Sequence, residues 1–301
     1  MKLITAALGI LLTFAVPLAQ GGSPADETRL TLRQQMVRLI NRDRAAYGLR
    51  PVALDVEVSL TADRFCEQQI RNRTTGHFTT DGMTPYMRYS FAGGNDGVSE
   101  NAAAWSASYR FSDQALYEMI RRSQDAMMAE LPPHDGHRRT ILDPHATHVG
   151  VGLAWQDGEF RIAQEFVRRY LQWTRPLPRA ASLTEQVIGS ARPLPGYHVA
   201  AVSVHHEPLP QTISRVTANR IESYGLPEKR RDYLPRLRTY YGRSKDGSLH
   251  LVREEYTDGR RGDFPVTADG SFSFPVSFTE GPGIYTVVVW VEKDGTKDPI
   301  A

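Results

Sequence analysis

The stretch HDGHRRTILDPHATHVGVG, residues 134–152, sets His134, His137, His145 and His148 in two H-x-x-H pairs ahead of a glycine-rich apolar run. Imidazole is both a ligand for divalent metals and a proton carrier near neutral pH, so the cluster raises metal coordination or acid–base chemistry. A closed four-histidine zinc site would need tetrahedral geometry. Pro144 stiffens the chain directly before His145, and His148 opens a run expected to become a strand, so a zinc knot is disfavoured. In a half-buried strand His148 would share a face with Gly150 and Gly152, opposite Val149 and Val151. Arg138 and Arg139 have two readings: a guanidinium fork for an anionic ligand, or a pairing with a nearby acid such as Asp143, which is favoured.

Other chemistries find less support. No G-x-S-x-G turn and no H-E-x-x-H helix occurs, which removes the serine-elbow and zincin hydrolase patterns. The one cysteine, Cys66, lies in TADRFCEQQI with Ala62, Phe65 and Ile70 at helical spacing, so a buried apolar role is expected, not a catalytic thiol or a disulfide. The net charge is only +2 over 301 residues; without a basic stripe to neutralise a row of phosphates, nucleic acid is not an expected partner.

Several elements must hold these residues in place. The first 22 residues combine Lys2 with an apolar run from Leu3 to Leu18, interrupted by Thr5, Gly9, Thr13 and Pro17 and followed by Ala19, Gly21 and Gly22. That run is short for a bilayer crossing and reads as a cleaved signal peptide, 1–22, with no stable membrane span after its removal; an uncleaved anchor is the alternative. Leu32, Met36, Leu39 and Ile40 form an apolar stripe between Glu27 and Tyr47, with Gly48 as the stop, and predict an amphipathic helix. A second helix is expected from about Asp55 to Arg73. A third is capped by Ser112 and stopped by Pro132 and Pro133. Two strands follow, joined at Gln156-Asp157-Gly158. The proline-rich stretch 175–196, with RPLP twice, reads as an extended connector. Beyond it, YHVAAVSVHH, GSFSFPVSF and IYTVVVWVE read as strands of a smaller β-rich, sandwich-like domain, with Pro275 at a sheet edge and TEGPG turning the chain back. Residues 220–240 show no clear period.

The blocks LINRDRAAYGLRPVALD, GHFTTDGMTPYMR, SENAA, GHRRTILDPHATHVGVG and QEFV, in this order across residues 30–170, resemble the bacterial branch of the CAP superfamily, which includes cysteine-rich secretory proteins, venom allergens and pathogenesis-related proteins. The resemblance implies an α+β fold: a three-layer α-β-α CAP sandwich over 23–174, here followed by the linker 175–196 and the β-rich domain 197–301. It also implies a cleft with two histidines and one or two glutamates. Carried over by position, these are His77, Glu100 and His137, with Glu130 a looser match for a glutamate on the helix before His137. Ser99 departs from the family's preferred glycine. His137 is then the functional member of the four-histidine stretch, and His134, His145 and His148 are polar surface or loop residues. TTDGMTPYMR is expected to turn so as to orient His77, with Tyr86 and Met87 packing beneath. Glu165 on a strand faces either the cleft or away from it.

His77, His137 and Glu100 make a suitable partial shell for a divalent metal, zinc or calcium, with positions left open for water. The same residues also suit a dry hydrogen-bonded cluster in which Glu100 fixes an imidazole tautomer. Three functions follow. The preferred one is an exported CAP-domain binding module whose cleft takes a metal or a small-molecule, lipid or cell-envelope ligand, while the C-terminal domain recognises a protein partner. The others are a metal-dependent protease or nuclease and a purely structural envelope protein. A secreted, periplasmic or envelope location is expected in each case.

Overall fold

The computed structural model describes residues 24–301, in which the elements run α1 (Pro24–Ala46), β1 (Ala53–Leu54), α2 (Val56–Asn72), α3 (Pro85–Phe91), β2 (Gly97–Ser106), α4 (Asp113–Met128), α5 (Gly136–Ile141), β3 (His148–Gln156) and β4 (Glu159–Arg168) through the first half. The expected signal peptide lies outside the described residues. Among the described residues no helix is long and apolar enough to cross a membrane.

The caps act as the sequence anticipates. Asp55 accepts from the Val58 N–H at 3.0 Å to start α2, and Ser112 accepts from the Ala115 N–H at 3.3 Å to start α4. Each satisfies a donor that the first helical turn leaves unpaired. The loop between β3 and β4 is two residues, Asp157 and Gly158, both at positive φ (47° and 83°), the primed-turn geometry that matches strand twist.

Four strands form a sheet in the order β1-β3-β4-β2, parallel between β1 and β3 and antiparallel elsewhere. On one face Leu32, Met36 and Ile40 of α1 and Leu116, Ile120 and Met127 of α4 pack against Val149, Val151, Leu153, Ile162 and Phe166. On the other, Ala62, Phe65 and Cys66 of α2 pack against Ala154 and Ala163. This is the expected α-β-α sandwich. β3 is therefore buried on both faces rather than half-buried, and its glycines face a helix: a Cβ on Gly152 would lie 2.3 Å from the Ala62 carbonyl carbon, and one on Gly150 2.8 Å from the Ser59 nitrogen.

β1 covers only the start of β3, and α2 supplies side chains for the rest of that edge. The Ser59 hydroxyl accepts from the Val151 N–H at 2.9 Å and the Asp63 carboxylate from the Leu153 N–H at 2.7 Å, one helical turn apart. Arg33 donates to the Val151 carbonyl at 3.0 Å and pairs with Asp63.

The second half begins earlier than expected. β5 (Leu171–Arg175) and β6 (Gln186–Pro193) are strands, so within the predicted connector 175–196 residues 186–193 belong to the sandwich while 176–185 carry no strand; Pro176 follows β5 and Pro193 ends β6, where a missing N–H is tolerated. β7 (Tyr197–Glu207), the short α6 (Arg215–Ala218), β8 (Lys229–Tyr233), β9 (Thr239–Arg243), β10 (Leu249–Arg253), β11 (Phe272–Ser277), β12 (Ile284–Lys293) and β13 (Pro299–Ile300) complete the chain. One sheet has the order β11-β6-β5 and the other β13-β12-β7-β8. Pro275 is on an edge strand, as expected. β11 and β12 do not form the hairpin that TEGPG suggests: β12 crosses to the other sheet and pairs with β7. Phe272, Phe274 and Val276 interleave with Val202, Val204, Tyr233 and Phe264 between the sheets.

Candidate functional site

His77 lies in the loop between α2 and α3, Glu100 on β2, and His137 in the first turn of α5. The structure brings them together, with the two imidazole centres 6.1 Å apart. His77 Nδ1 bonds Glu100 Oε1 at 2.9 Å. His137 Nδ1 bonds the Glu130 carboxylate, whose other oxygen accepts the His137 backbone N–H at 3.0 Å. Glu130 therefore belongs to the site, although it lies just past the end of α4 and not within it. Each imidazole is held at Nδ1 by a carboxylate, which leaves Nε2 as the nitrogen it offers to a ligand.

Glu100 is fully engaged. Its second oxygen accepts from Arg88 at 2.6 Å, and its side chain has no exposure. The set His77, His137 and Glu100 is thus not a three-ligand metal shell as placed, and among the described residues no group of three or more His, Cys, Asp or Glu could hold a metal. Glu100 positions His77 instead. What remains is a pair of imidazoles. Two imidazoles on one tetrahedral zinc, each at about 2.0–2.1 Å, set their ring centres about 5 Å apart, so the pair, at 6.1 Å, would have to close by about 1 Å to share one ion.

Arg88 was not among the expected residues. Thr84 caps α3 and Pro85 occupies its first turn, which aims Arg88 back across the His77 loop. There it donates to the His77 and Met83 carbonyls at 3.0 and 2.8 Å and lies over the Phe65 ring, 3.7 Å from its centre. The Thr-Pro start of a helix was the available signal. Met87 packs in the interior as expected. Tyr86 does not, since its hydroxyl donates to Glu207 at 2.8 Å.

Glu165 faces the site. It stands beside Glu100 in the β2–β4 register, is 3% exposed, and has one oxygen without a partner. Burial and the Glu100 charge push its carboxyl well above the ordinary range, and the two side chains hydrogen-bond each other. For Glu100, burial acts in the same upward direction, but Arg88 and His77 outweigh it and hold the group below its ordinary value. Ionisation is thus favoured on Glu100 and disfavoured on Glu165, the direction that avoids two like charges in contact.

Tyr224 comes from the segment between β7 and β8. Its ring stands edge-on to His77, with centres 4.9 Å apart, and its hydroxyl accepts the Glu100 backbone N–H at 2.6 Å. The segment around it is strapped to the first domain: the Ile213 N–H donates to the Thr80 carbonyl at 3.0 Å, the Thr75 N–H to Asn219 at 2.8 Å, and the Tyr86 hydroxyl contacts the Gly225 carbonyl at 3.3 Å. Gly82, at φ 73°, lets the strap approach, because a Cβ there would lie 2.3 Å from the Gln211 carbonyl oxygen. No sequence pattern signals this contact.

Two other histidines of the stretch have partners elsewhere. His145 meets Asp298 at 3.3 Å, and His148 bonds Thr147 at 2.9 Å. Arg138 and Arg139 do not pair with Asp143. Arg138 donates to the Tyr47 hydroxyl at 2.7 Å and Arg139 meets Asp135 at 3.3 Å. Asp143 is taken by Arg168 at 2.7 Å, while Arg139 pairs with another nearby acid. Cys66 is buried with its thiol pushed up by burial, which leaves it unreactive.

A three-layer α-β-α domain with a carboxylate-backed histidine pair, covered by a segment of an appended β-sandwich, is the class of protein defined here. Residues 37–166 match the profile of the cysteine-rich secretory protein family, CAP, and this segment is a CAP domain. Among solved structures, an extracellular SCP-domain protein of Bacillus anthracis is 19% identical, with a TM-score of 0.37 over 50% of this chain and 45% of that one. An outer surface protein of Borrelia burgdorferi is 18% identical, with a TM-score of 0.37 over 48% of this chain and 95% of that one. The CAP domain of Enterococcal PrgA is 17% identical, with a TM-score of 0.35 over 48% and 63%. The aligned part thus spans less than half of the Bacillus protein. Comparison with curated proteins gave no match.

Proposed function

We propose that this is an exported binding module whose CAP domain takes a divalent cation between His77 and His137, with the C-terminal sandwich covering that cleft and offering a recognition surface to an envelope or protein partner. The observation that carries the reading is the carboxylate behind each imidazole: Glu100 on His77 Nδ1 and Glu130 on His137 Nδ1. Such pairs fix the ring and its tautomer and raise the basicity of the opposite nitrogen, the usual outer arrangement around a histidine-bound metal. Two imidazoles suit zinc better than calcium, which favours six to eight oxygen ligands. A bound cation would supply an electrophilic centre with open positions for a ligand's own donor atoms.

Export rests on the signal-like residues 1–22 together with the CAP profile. The hydrolase reading needs a carboxylate free to act as base. Glu100 and Glu130 are engaged by their histidines, and burial with the neighbouring Glu100 charge disfavours the ionised form of Glu165, so binding is the better supported role. Calorimetric titration of the metal-stripped protein with zinc tests it. One equivalent is expected for the wild type and none for the His77→Ala/His137→Ala double variant; equal stoichiometry in both would overturn the reading.

A further inference from the structure

A cavity lies between the two domains. Val202 pairs in register with Val289, and Val204 with Val287, so all four side chains share the sheet face that looks into the sandwich. Val202 and Val204 on β7 are sealed, at 0% and 4% exposure. Val287 and Val289 on β12 are only half-buried. The two sheets are unequal in size: three strands oppose four, and β5, at one edge of the smaller sheet, is five residues long. The uncovered part of the β12 face opens into a cavity of about 760 Å³, walled also by Trp173, Leu177, Phe91 and Val98. That volume falls within the range of small-molecule sites, roughly 300–1,000 Å³.

The polar groups around the wall are satisfied by one another. Trp173 Nε1 donates to the Asn95 carbonyl at 3.0 Å, Tyr86 to Glu207 at 2.8 Å, and Asp96 accepts from Arg169 at 2.9 Å. None of the wall's side chains carries a buried unpartnered polar atom. The interior therefore asks for an apolar body. Arg179 also lines the cavity and is itself exposed. Its guanidinium donates only to neutral oxygens, the Gly94 carbonyl at 2.8 Å and the Asn95 side chain at 2.6 Å. Among the described residues it has no carboxylate partner, so a cation stands unneutralised beside an apolar cavity.

We propose that this cavity binds a single-chain amphiphile with an anionic head, the chain lying against Val287, Val289, Trp173 and Phe91 and the head meeting Arg179. An acyl carboxylate or an acidic lysolipid has this chemistry. The site is separate from the histidine pair and does not depend on metal binding. Tyr224 is the shared wall, since it lines the cavity and also touches His77.

Equilibrium dialysis of the full chain with radiolabelled hexadecanoate, below its micelle concentration, tests the site, with hexadecanol and a lysophosphatidylglycerol of the same chain length as the other arms. Saturable binding of one hexadecanoate per chain is expected. Val287→Trp, which fills the cavity from the sheet, is expected to abolish it. Ser90→Trp fills it from α3 and serves if the first variant does not fold. Arg179→Gln should weaken hexadecanoate about tenfold, the value of one charge-assisted contact, and leave hexadecanol unchanged. Tighter binding of the lysolipid than of hexadecanoate assigns the source to envelope lipid, and the reverse to free fatty acid. The His77→Ala/His137→Ala variant should bind hexadecanoate as the wild type does. Absence of saturable binding, undiminished binding in a folded filling variant, or loss of binding in the histidine variant would overturn the proposal; unchanged hexadecanoate affinity in Arg179→Gln would overturn the assignment of the head.

Discussion

Tyr224 of the second domain stands edge-on to His77 of the first, ring centres 4.9 Å apart, while its hydroxyl accepts the backbone N–H of Glu100, the residue that holds His77. One side chain thus covers the imidazole and satisfies a buried donor beside it. The two domains share this site.

Tyr224→Phe keeps the ring against His77 and removes only the hydroxyl. The buried Glu100 N–H then loses its acceptor, at a cost of about 1–3 kcal/mol of unfolding free energy. Denaturant titration with an unchanged slope and a lower midpoint is the expected result. An unchanged midpoint would mean that the bond contributes nothing net.

Arg88→Met leaves Glu100 as a buried carboxylate without its guanidinium, a change that typically costs about 3–5 kcal/mol. Adding Glu100→Gln removes the stranded charge and should recover much of that loss. A double-mutant cycle on thermal or denaturant stability measures the coupling, and strictly additive effects would contradict the pairing.

The pH dependence of stability should carry the signature of Glu165. Its folded-state carboxyl is raised well above the ordinary range by burial and by the Glu100 charge, so the unfolded chain gives up this proton first. The native state then binds more protons than the unfolded state, and stability falls as pH rises from about 4.3, the ordinary glutamate value, up to the raised folded value. Glu165→Gln cannot titrate and should gain stability relative to the wild type across that window. Parallel stability–pH curves for the two proteins would show that Glu165 is not held protonated.

Gly152→Ala tests the close approach of α2 to β3. The added Cβ would meet the Ala62 backbone at 2.3 Å, and a helix packed on a sheet yields only by shifting as a unit. A loss of about 1–3 kcal/mol is expected, read as a lower melting temperature. Gly48→Ala meets no atom within 4 Å but forces a non-glycine residue to φ 69°, and so serves as a comparison for backbone strain alone.

Much of the first domain was legible because its signals are local. Leu32, Met36 and Ile40 repeat at helical spacing, Asp55 and Ser112 are side-chain caps, and Asp157-Gly158 suits a two-residue turn; each acts within a few residues of itself. The motif positions His77, Glu100 and His137 were legible through their resemblance to a family, and the structure gathers them with Glu130. Their roles were left as alternatives. Glu100 reads either as a metal ligand or as the holder of an imidazole tautomer; Arg88 and His77 occupy both of its oxygens and leave it the second, and which atoms meet there depends on how α3 packs against β2.

The sequence by itself determined that helices occupy the regions of α1, α2 and α4, that Cys66 is interior, that Pro275 lies on an edge strand and, through the resemblance to a family, that an α-β-α domain precedes a β-rich one. Only the tertiary structure decided that residues 186–193 join the sandwich, that β12 pairs with β7 rather than β11, that Gly150 and Gly152 face a helix, and that Tyr224 closes over His77. The physical reason is range. Capping, helical period and turn conformation are energies of neighbouring residues. Sheet order, the protonation of Glu165 beside Glu100 and the contact of Tyr224 with His77 are energies of groups far apart in the chain, which exist only once the fold has removed the water between them.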